Sequence, residues 1–285
     1  MRVVSVAGQR YTIGMIDLHS HTTASDGQHP PHEQLGMAAK AGITVLSVTD
    51  HDTVSGLDAC DAAAKEHGVR LVPGIEISVH LNNREVHILG HFVDRTVPKL
   101  ASFDVELKIF REKRMGLMVD KLASLGFPVT MEAVKAIAGN AHLARPHLAR
   151  WLVNQGYCTS TQEAFSRFLG DGKPAAVARF DVTPEQAIEL IHFAHGTATV
   201  AHPGPTRLNR YELEQLKLRG LDGIEVHHSD HPPTQRRQFL DWAKELSLIP
   251  TAGSDFHGVK VAPDRHFGSV GMDPDEFKKL ESLRR

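Results

Sequence analysis

The sequence predicts an α/β fold built on a parallel sheet, and three observations carry the prediction. Apolar strand-like runs alternate with helical stretches over residues 16–93 and again over 183–257, the βαβ rhythm of parallel sheets. Almost every run ends in His, Asp or Glu. Between the two halves, residues 98–170 lose the rhythm and read as mostly helical. The division that follows is a barrel from 1–97 and 175–285, with a helical subdomain inserted at 98–174.

Taken in order, residues 1–14 read as an edge strand or an extension ahead of Met15. Residues 16–18 end a short buried strand, and His19-Ser-His21 sits where it stops. In extended backbone, residues two apart share a face, so both imidazoles can converge on one ion. Asp26 follows just before Gly27, in a polar turn able to fold back toward the pair. Pro30-Pro31 opens a helix that runs to about Ala41 and stops at Gly42. The apolar run 43–48 marks a strand buried on both faces, and it ends in Thr49-Asp50-His51-Asp52. A helix over 55–67 closes at Gly68. Strand 69–77 carries Glu76, and a turn at Asn82-Asn83 leads into strand 85–93, which alternates and carries His87.

In the helical stretch, good helix formers fill 105–125 and 162–169, and 143–153 is helix-compatible with Pro146 in its first turn. Gly170-Asp-Gly-Lys-Pro174 is the hinge back. Thr183-Pro184 starts a helix that continues to Ala194, with further helices at 211–218 and 234–246. Strands at 197–201, 223–226 and 248–252 end in His202-Pro-Gly204, His227-His228-Ser229 and Gly253-Ser-Asp-Phe-His257.

Composition removes several function classes. The 285 residues are 41% apolar, enough for a substantial core, and 32 basic residues meet 34 acidic ones for a formal charge of −2. That balance supplies neither a nucleic-acid stripe nor a membrane-binding face. No stretch reaches the roughly 20 apolar residues that span a bilayer, and none resembles a signal peptide. Cys60 and Cys158 are the only cysteines, too few for a disulfide framework or a thiolate metal site. A reducing, cytoplasmic setting is the expectation. The 19 histidines are the compositional outlier.

Position gives those histidines meaning. His19, His21, Asp50, His51, Glu76, His202, His227 and Asp255 all lie in or just after the carboxyl end of a predicted strand. Parallel (β/α) barrels gather those ends on one face, which carries the active site. Imidazoles and carboxylates facing one another there need cations to join them. Two histidines with a carboxylate suit zinc, manganese or iron rather than calcium. A cluster of such ions supports hydrolysis of phosphate esters, one generating hydroxide while others bind phosphoryl oxygens.

These residues also carry a family resemblance. The segments Asp17-Leu-His-Ser-His-Thr-Thr-Ala-Ser-Asp-Gly27, Val48-Thr-Asp-His-Asp52, Pro73-Gly-Ile-Glu-Ile-Ser78, Val86-His-Ile-Leu-Gly90, Val200-Ala-His-Pro-Gly204 and Gly253-Ser-Asp-Phe-His257 occur in the order found in the PHP (polymerase and histidinol phosphatase) family of metal-dependent phosphoesterases. The chain resembles that family over nearly its whole length. The resemblance implies a distorted (β/α)7 barrel holding two or three divalent ions, manganese first, with zinc or iron as alternatives. By motif, His19, His21, Glu76 and Asp255 would hold the first ion. Glu76 would bridge to a second held also by His87 and His202, and Asp26, His51 and His257 would hold the third. Asp255 and His202 are the implied catalytic groups, with metal-bound hydroxide attacking phosphorus and Asp255 accepting or orienting its proton.

A narrower resemblance is to the branch that acts on nucleoside 3′,5′-bisphosphates and trims short 5′-phosphorylated RNA. Its marks are Ala144-Arg-Pro-His-Leu-Ala-Arg150 and Gly172-Lys-Pro174. Arg145, Lys173, His147 and Arg207 would meet substrate, because guanidinium grips phosphate bidentately and lysine supplies a point charge. Two positions depart from the branch: Ala176 stands where an aromatic is usual, and Pro205 where an arginine is usual, with Arg207 nearby. The loss of an aromatic weakens base stacking. The expected partner is a small nucleotide or short RNA, with no membrane and no obligate protein partner. Three other readings compete: a histidinol-phosphate phosphatase, a non-catalytic metal-stabilised binding module, and a urease-like amidohydrolase. The last generally bridges its metals with a modified lysine, where this chain offers Glu76. The resemblance supplies no role for His227 and His228, which are read as supports behind the ligands and stay outside the metal set.

Overall fold

The fold is taken from a computed structural model that describes residues 2–6, 9–82, 84–139, 143–177 and 182–285, without the side chains of 2–6, 9–13 and 104. Two compact units result: residues 1–102 with 182–285, and residues 103–181.

The first unit opens with β1 (Arg2–Val6) and β2 (Gln9–Ile13), an antiparallel pair that forms a sheet of its own. These strands are thus an extension ahead of Met15 and not an edge strand of the main sheet. That sheet has seven strands in chain order: β3 (Met15–Asp17), β4 (Ile43–Val48), β5 (Arg70–Leu81), β6 (Arg84–His91), β7 (Thr197–Val200), β8 (Gly223–His228) and β9 (Ile249–Gly253). The two outer strands approach each other, with Leu18 N donating to Ala252 O at 2.9 Å and Asp255 N to His19 O at 2.9 Å, so the sheet is a nearly closed barrel.

Four of the six pairings are parallel, but β6 runs antiparallel to both β5 and β7. The βαβ rhythm alone gives an all-parallel sheet, and the turn after Leu81 is the reason for the difference. A parallel return needs a crossover of a dozen residues or more, and Asn82, at φ 51°, leads straight back. Asn83, the other half of that turn, lies outside the described residues. Reversal has a functional consequence. It brings the amino-terminal half of β6, with His87 opposite Ser78, level with the carboxyl end of β5.

Helices cover the barrel for reasons readable in the chain. Pro31 at the first turn opens α1 (Pro31–Lys40), and Gly68 in the left-handed region (φ 68°) ends α2 (Leu57–His67). Leu35, Ala38, Leu57, Cys60 and Ala64 bury against Ile43, Leu46 and Val48 of β4. α3 (Pro98–Ser124), α4 (Met131–Ala138), α5 (Arg145–Asn154) and α6 (Thr161–Ala164) follow, the last widening into a π-turn over Phe165–Leu169. The 103–181 unit has its own apolar core, in which Met118, Leu122, Val134, Leu148, Leu152 and Leu169 are buried. α7 (Pro184–Phe193) starts with a capping box between Thr183 and Gln186. α8 (Arg210–Leu218), α9 (Pro233–Leu246) and α10 (Pro274–Ser282) complete the chain. The sequence pattern did not single out α4 or α10. Phe277 and Leu280 of α10 pack beneath Ile16, Leu18 and Ala252. Among the described residues, no helix is long and apolar enough to cross a membrane.

Candidate metal centre

Glu76, 1% exposed, is the centre of the strand ends. Its Oε1 lies 2.8 Å from His87 Nδ1 and 3.1 Å from His202 Nε2. Its Oε2 lies 3.1 Å from His21 Nε2, 3.1 Å from His51 Nδ1 and 3.3 Å from His19 Nε2. One carboxylate therefore divides five imidazoles between its two oxygens. Asp255 Oδ1 closes the group at 3.2 Å from both His19 Nε2 and His21 Nε2.

Asp26 reaches the cluster because its turn is tied down. Asp50 accepts hydrogen bonds from Thr22 N at 2.7 Å, Thr22 Oγ1 at 2.7 Å and Ser25 Oγ at 2.6 Å. The turn then packs so closely that a Cβ on Gly27 would sit 2.1 Å from His21 O. Asp26 consequently faces His257 Nε2 at 3.3 Å and His51 Nε2 at 3.8 Å, and the rings of His21 and His257 stack with centroids 4.1 Å apart. Asp50 itself is spent on this loop. His202 (φ 26°) and Asp255 (φ 54°) both hold left-handed backbone conformations, which cost non-glycine residues energy and concentrate at functional sites.

The electrostatics are those of a cation site. Burial opposes ionisation of Glu76, yet His51, His19 and His87 hold its carboxyl well below the usual range. Burial works against the charged form of His21 too, but the Asp255 and Glu76 carboxylates beside it raise it to about 10. His51 goes the other way, pushed down to about 3 by burial and by His21. A carboxylate accepts about four hydrogen bonds, so five facing imidazoles cannot all be satisfied by protons. His19 Nε2 and His21 Nε2 are also 3.1 Å apart, and His51 Nδ1 and Asp255 Oδ1 are buried without a hydrogen-bond partner. Divalent cations would satisfy these nitrogen and oxygen donors, so the residues present fit such ions.

The structure brings together His19, His21, Asp26, His51, Glu76, His87, His202, Asp255 and His257. Arg207 is exposed, next to Pro205 and Thr206, which line the cleft above Glu76. Within the 103–181 unit, Arg145 donates to Asp171 Oδ1 at 2.8 Å and lies over the Phe165 ring at 5.6 Å. Lys173 is exposed in the same loop as Asp171. His147 Nδ1 accepts from Ala144 N at 3.1 Å, capping α5.

Sequence reasoning missed Glu225 and Arg265 and kept His228 outside the ligand set. Glu225, fully buried, accepts from His202 N at 2.7 Å and faces His19 Nδ1 at 3.0 Å. That contact directs the other ring nitrogen, Nε2, into the cluster. A Cβ on Gly253 would stand 2.2 Å from His19 Cβ and 2.5 Å from Glu225 Oε1, so glycine is required between them. His228 is buried with Nε2 3.3 Å from Asp255 Oδ2, while His227 is only half-buried. Arg265 donates to the same Asp255 oxygen. A charged residue inside the apolar run of β8 was the available signal for Glu225. Arg265 lies in a loop with none.

Comparison with known proteins agrees with this geometry. Residues 17–197 match the PHP domain. A 5′-3′ exoribonuclease of Haemophilus influenzae is 40% identical over 245 residues, 85% of this chain and 89% of that protein. A 3′,5′-nucleoside bisphosphate phosphatase of Chromobacterium violaceum is 33% identical over 265 residues, 91% of this chain and 92% of that protein. A crystal structure from Bifidobacterium adolescentis, assigned as a metal-dependent phosphoesterase, superposes with a TM-score of 0.79 at 30% identity, covering 94% of this chain and 96% of its own. On that evidence the chain belongs to the PHP domain family and is a metal-dependent phosphoesterase that binds divalent metal.

Proposed function

We infer that the chain hydrolyses the 3′-phosphate of nucleoside 3′,5′-bisphosphates, and by the same chemistry trims short 5′-phosphorylated RNA from its 5′ end. The observation that carries this reading is Glu76, whose two oxygens each face a separate set of imidazoles, as a carboxylate shared between ions must. Names of the relatives from C. violaceum and H. influenzae support the substrate class, and a near-neutral charge favours short substrates over long RNA. Two or three ions, manganese first, would be held by His19, His21, Glu76 and Asp255, by Glu76, His87 and His202, and by Asp26, His51 and His257. Bound there, they would polarise the phosphoryl oxygens and make a water nucleophilic near neutral pH.

The protein groups supply position and proton traffic. Glu225 fixes the tautomer and plane of His19. Asp255 has one oxygen held by Arg265 and His228, leaving Oδ1 to accept or orient the attacking water's proton. As the new P–O bond forms, the bond to the ribose 3′ oxygen breaks and that oxygen takes up a proton. The helical unit of 103–181 is the inserted subdomain in this reading. There Arg145 and Lys173 hold the non-reacting 5′-phosphate, with His147 and Arg207 as further substrate contacts.

Phosphate release from adenosine 3′,5′-bisphosphate by manganese-loaded protein is the test, with histidinol phosphate alongside and Asp255→Asn as control. AMP and phosphate should form from the bisphosphate and vanish in the control. Turnover of histidinol phosphate alone would overturn the substrate assignment.

A further inference from the structure

The cleft above Glu76, about 330 Å³, is lined by His51, His87, His202, Asp255, His257 and Arg265 among others. A second cavity of about 370 Å³ adjoins it, and the two share His257 and Arg265. Among the described residues, Arg265 is the one lysine or arginine side chain lining either space. Its guanidinium has two partners of unequal standing. Nη1 donates to Asp255 Oδ2, and Nη2 donates to Asp230 Oδ2 at 2.7 Å. The Asp255 side chain is 4% exposed, whereas that of Asp230 is 37% exposed.

These contacts differ in how readily they exchange. A buried ion pair is costly to break because it leaves an uncompensated charge behind, while a solvent-screened one contributes little. A phosphate oxygen can replace the Asp230 carboxylate on the same guanidinium edge with a stronger, charge-assisted bond. The imidazoles favour the first cavity for the anion: each cavity carries three carboxylates, Glu76, Glu85 and Asp255 in the first and Asp26, Asp230 and Asp264 in the second, but four imidazoles line the first and His257 alone the second.

We propose that Arg265 grips the reacting phosphoryl group of the substrate, and that Asp230 is a surrogate anion displaced when that phosphate enters the cleft. The proposal rests on the phosphoesterase reading, but not on which ester is cleaved. Arg265 stays anchored by Asp255 throughout, so its free edge is already aimed when substrate arrives. This supplies a fixed cation at the reacting centre from the loop before α10, independent of Arg145, Lys173 and Arg207.

Inorganic phosphate binding to the manganese-loaded protein, followed by calorimetry, tests the proposal without any turnover. Arg265→Ala should weaken binding about 10- to 100-fold, the loss of hydrogen bonds to a charged group. Arg265→Lys should recover part of it, since a point charge cannot reproduce the fork. Asp230→Asn should tighten binding a few-fold by removing the competitor. Unchanged affinity in Arg265→Ala with its manganese retained would overturn the proposal. If Arg265→Ala loses manganese, Asp230→Asn decides, because it leaves Asp255 gripped: tighter binding supports the proposal, and equal or weaker binding overturns it. With p-nitrophenyl phosphate and adenosine 3′,5′-bisphosphate, kcat/KM of Arg265→Ala should fall by the same factor. A loss confined to the bisphosphate would place Arg265 on the remote phosphate and sink the assignment. Failure of wild-type protein to cleave the bisphosphate, with phosphate binding still dependent on Arg265, would refute the substrate reading alone.

Discussion

In the 103–181 unit, the residues fully hidden from water are Met118, Leu122, Val134, Leu148, Leu152 and their like. At the barrel's strand ends they are His19, His21, His228 and Glu225, with Glu76 at 1% and Asp255 at 3% exposure. Burying a leucine stabilises the fold by about 1.5–3 kcal/mol. Burying a carboxylate costs energy unless charge and hydrogen bonds compensate it. The helical unit thus gains stability from its interior, and the barrel carries a polar interior that its apolar layers must offset. Ile16, Leu18, Val45, Val72 and Phe277 beneath the strand ends make up one such layer. What the contrast teaches is where to look for chemistry: in the part of the core whose contents are worst for folding.

The largest effect expected from this contrast is at Glu76. Glu76→Gln keeps the shape but removes the charge that faces five imidazoles. Phosphoesterase turnover should fall by about 10³-fold, the upper end of what removal of one preorganised electrostatic group costs. Manganese should stabilise wild-type protein against heat by mass action, about 4 kcal/mol at 1,000 times Kd, and Glu76→Gln should lose that increment. A variant that keeps both turnover and the metal-dependent rise in Tm would break the comparison, making the polar interior structural.

The converse substitution lies in the helical unit. Leu152 is fully buried in a wholly apolar setting. Leu152→Ala should cost about 2–5 kcal/mol in urea unfolding and leave the manganese bound per chain unchanged. A fall in bound manganese would show that the barrel's polar interior depends on that apolar core.

The sequence displayed unequal shares of this architecture. Residues close in the chain were legible as pairs: His19 with His21, and Asp255 with His257, each at the end of an apolar run. Residues that depend on strand direction or register were not. Strict alternation in β8 puts Glu225 and His227 on one face. An irregularity against β9 between those two residues shifts the register, so Glu225 and His228 are the fully buried pair. The direction of β6 was hidden for a similar reason, since an apolar run looks the same read either way. Arg265 sits in an irregular loop, where periodicity has nothing to report, and the π-turn at Phe165–Leu169 continues a pattern that reads as ordinary helix.

The smallest effect expected concerns how the helical unit uses charge, at its surface instead of its core. Glu163 Oε2 accepts from Thr159 Oγ1 and Thr159 N, both at 2.7 Å, and Oε1 accepts from Arg167 at 2.6 Å. These bonds, the Thr159 hydroxyl's first, lower its carboxyl from the ordinary 4.5 to about 2. Because the folded value is the depressed one, the stabilisation is complete above the unfolded value near 4.5 and is lost as pH falls through about 2. Glu163→Gln should therefore lower Tm modestly at pH 7, and its gap from wild type should narrow steadily between pH 4.5 and pH 3. Circular dichroism melts across that range measure it. A gap that stays constant with pH would mean that Glu163 acts through shape and neutral hydrogen bonds, and not through its charge.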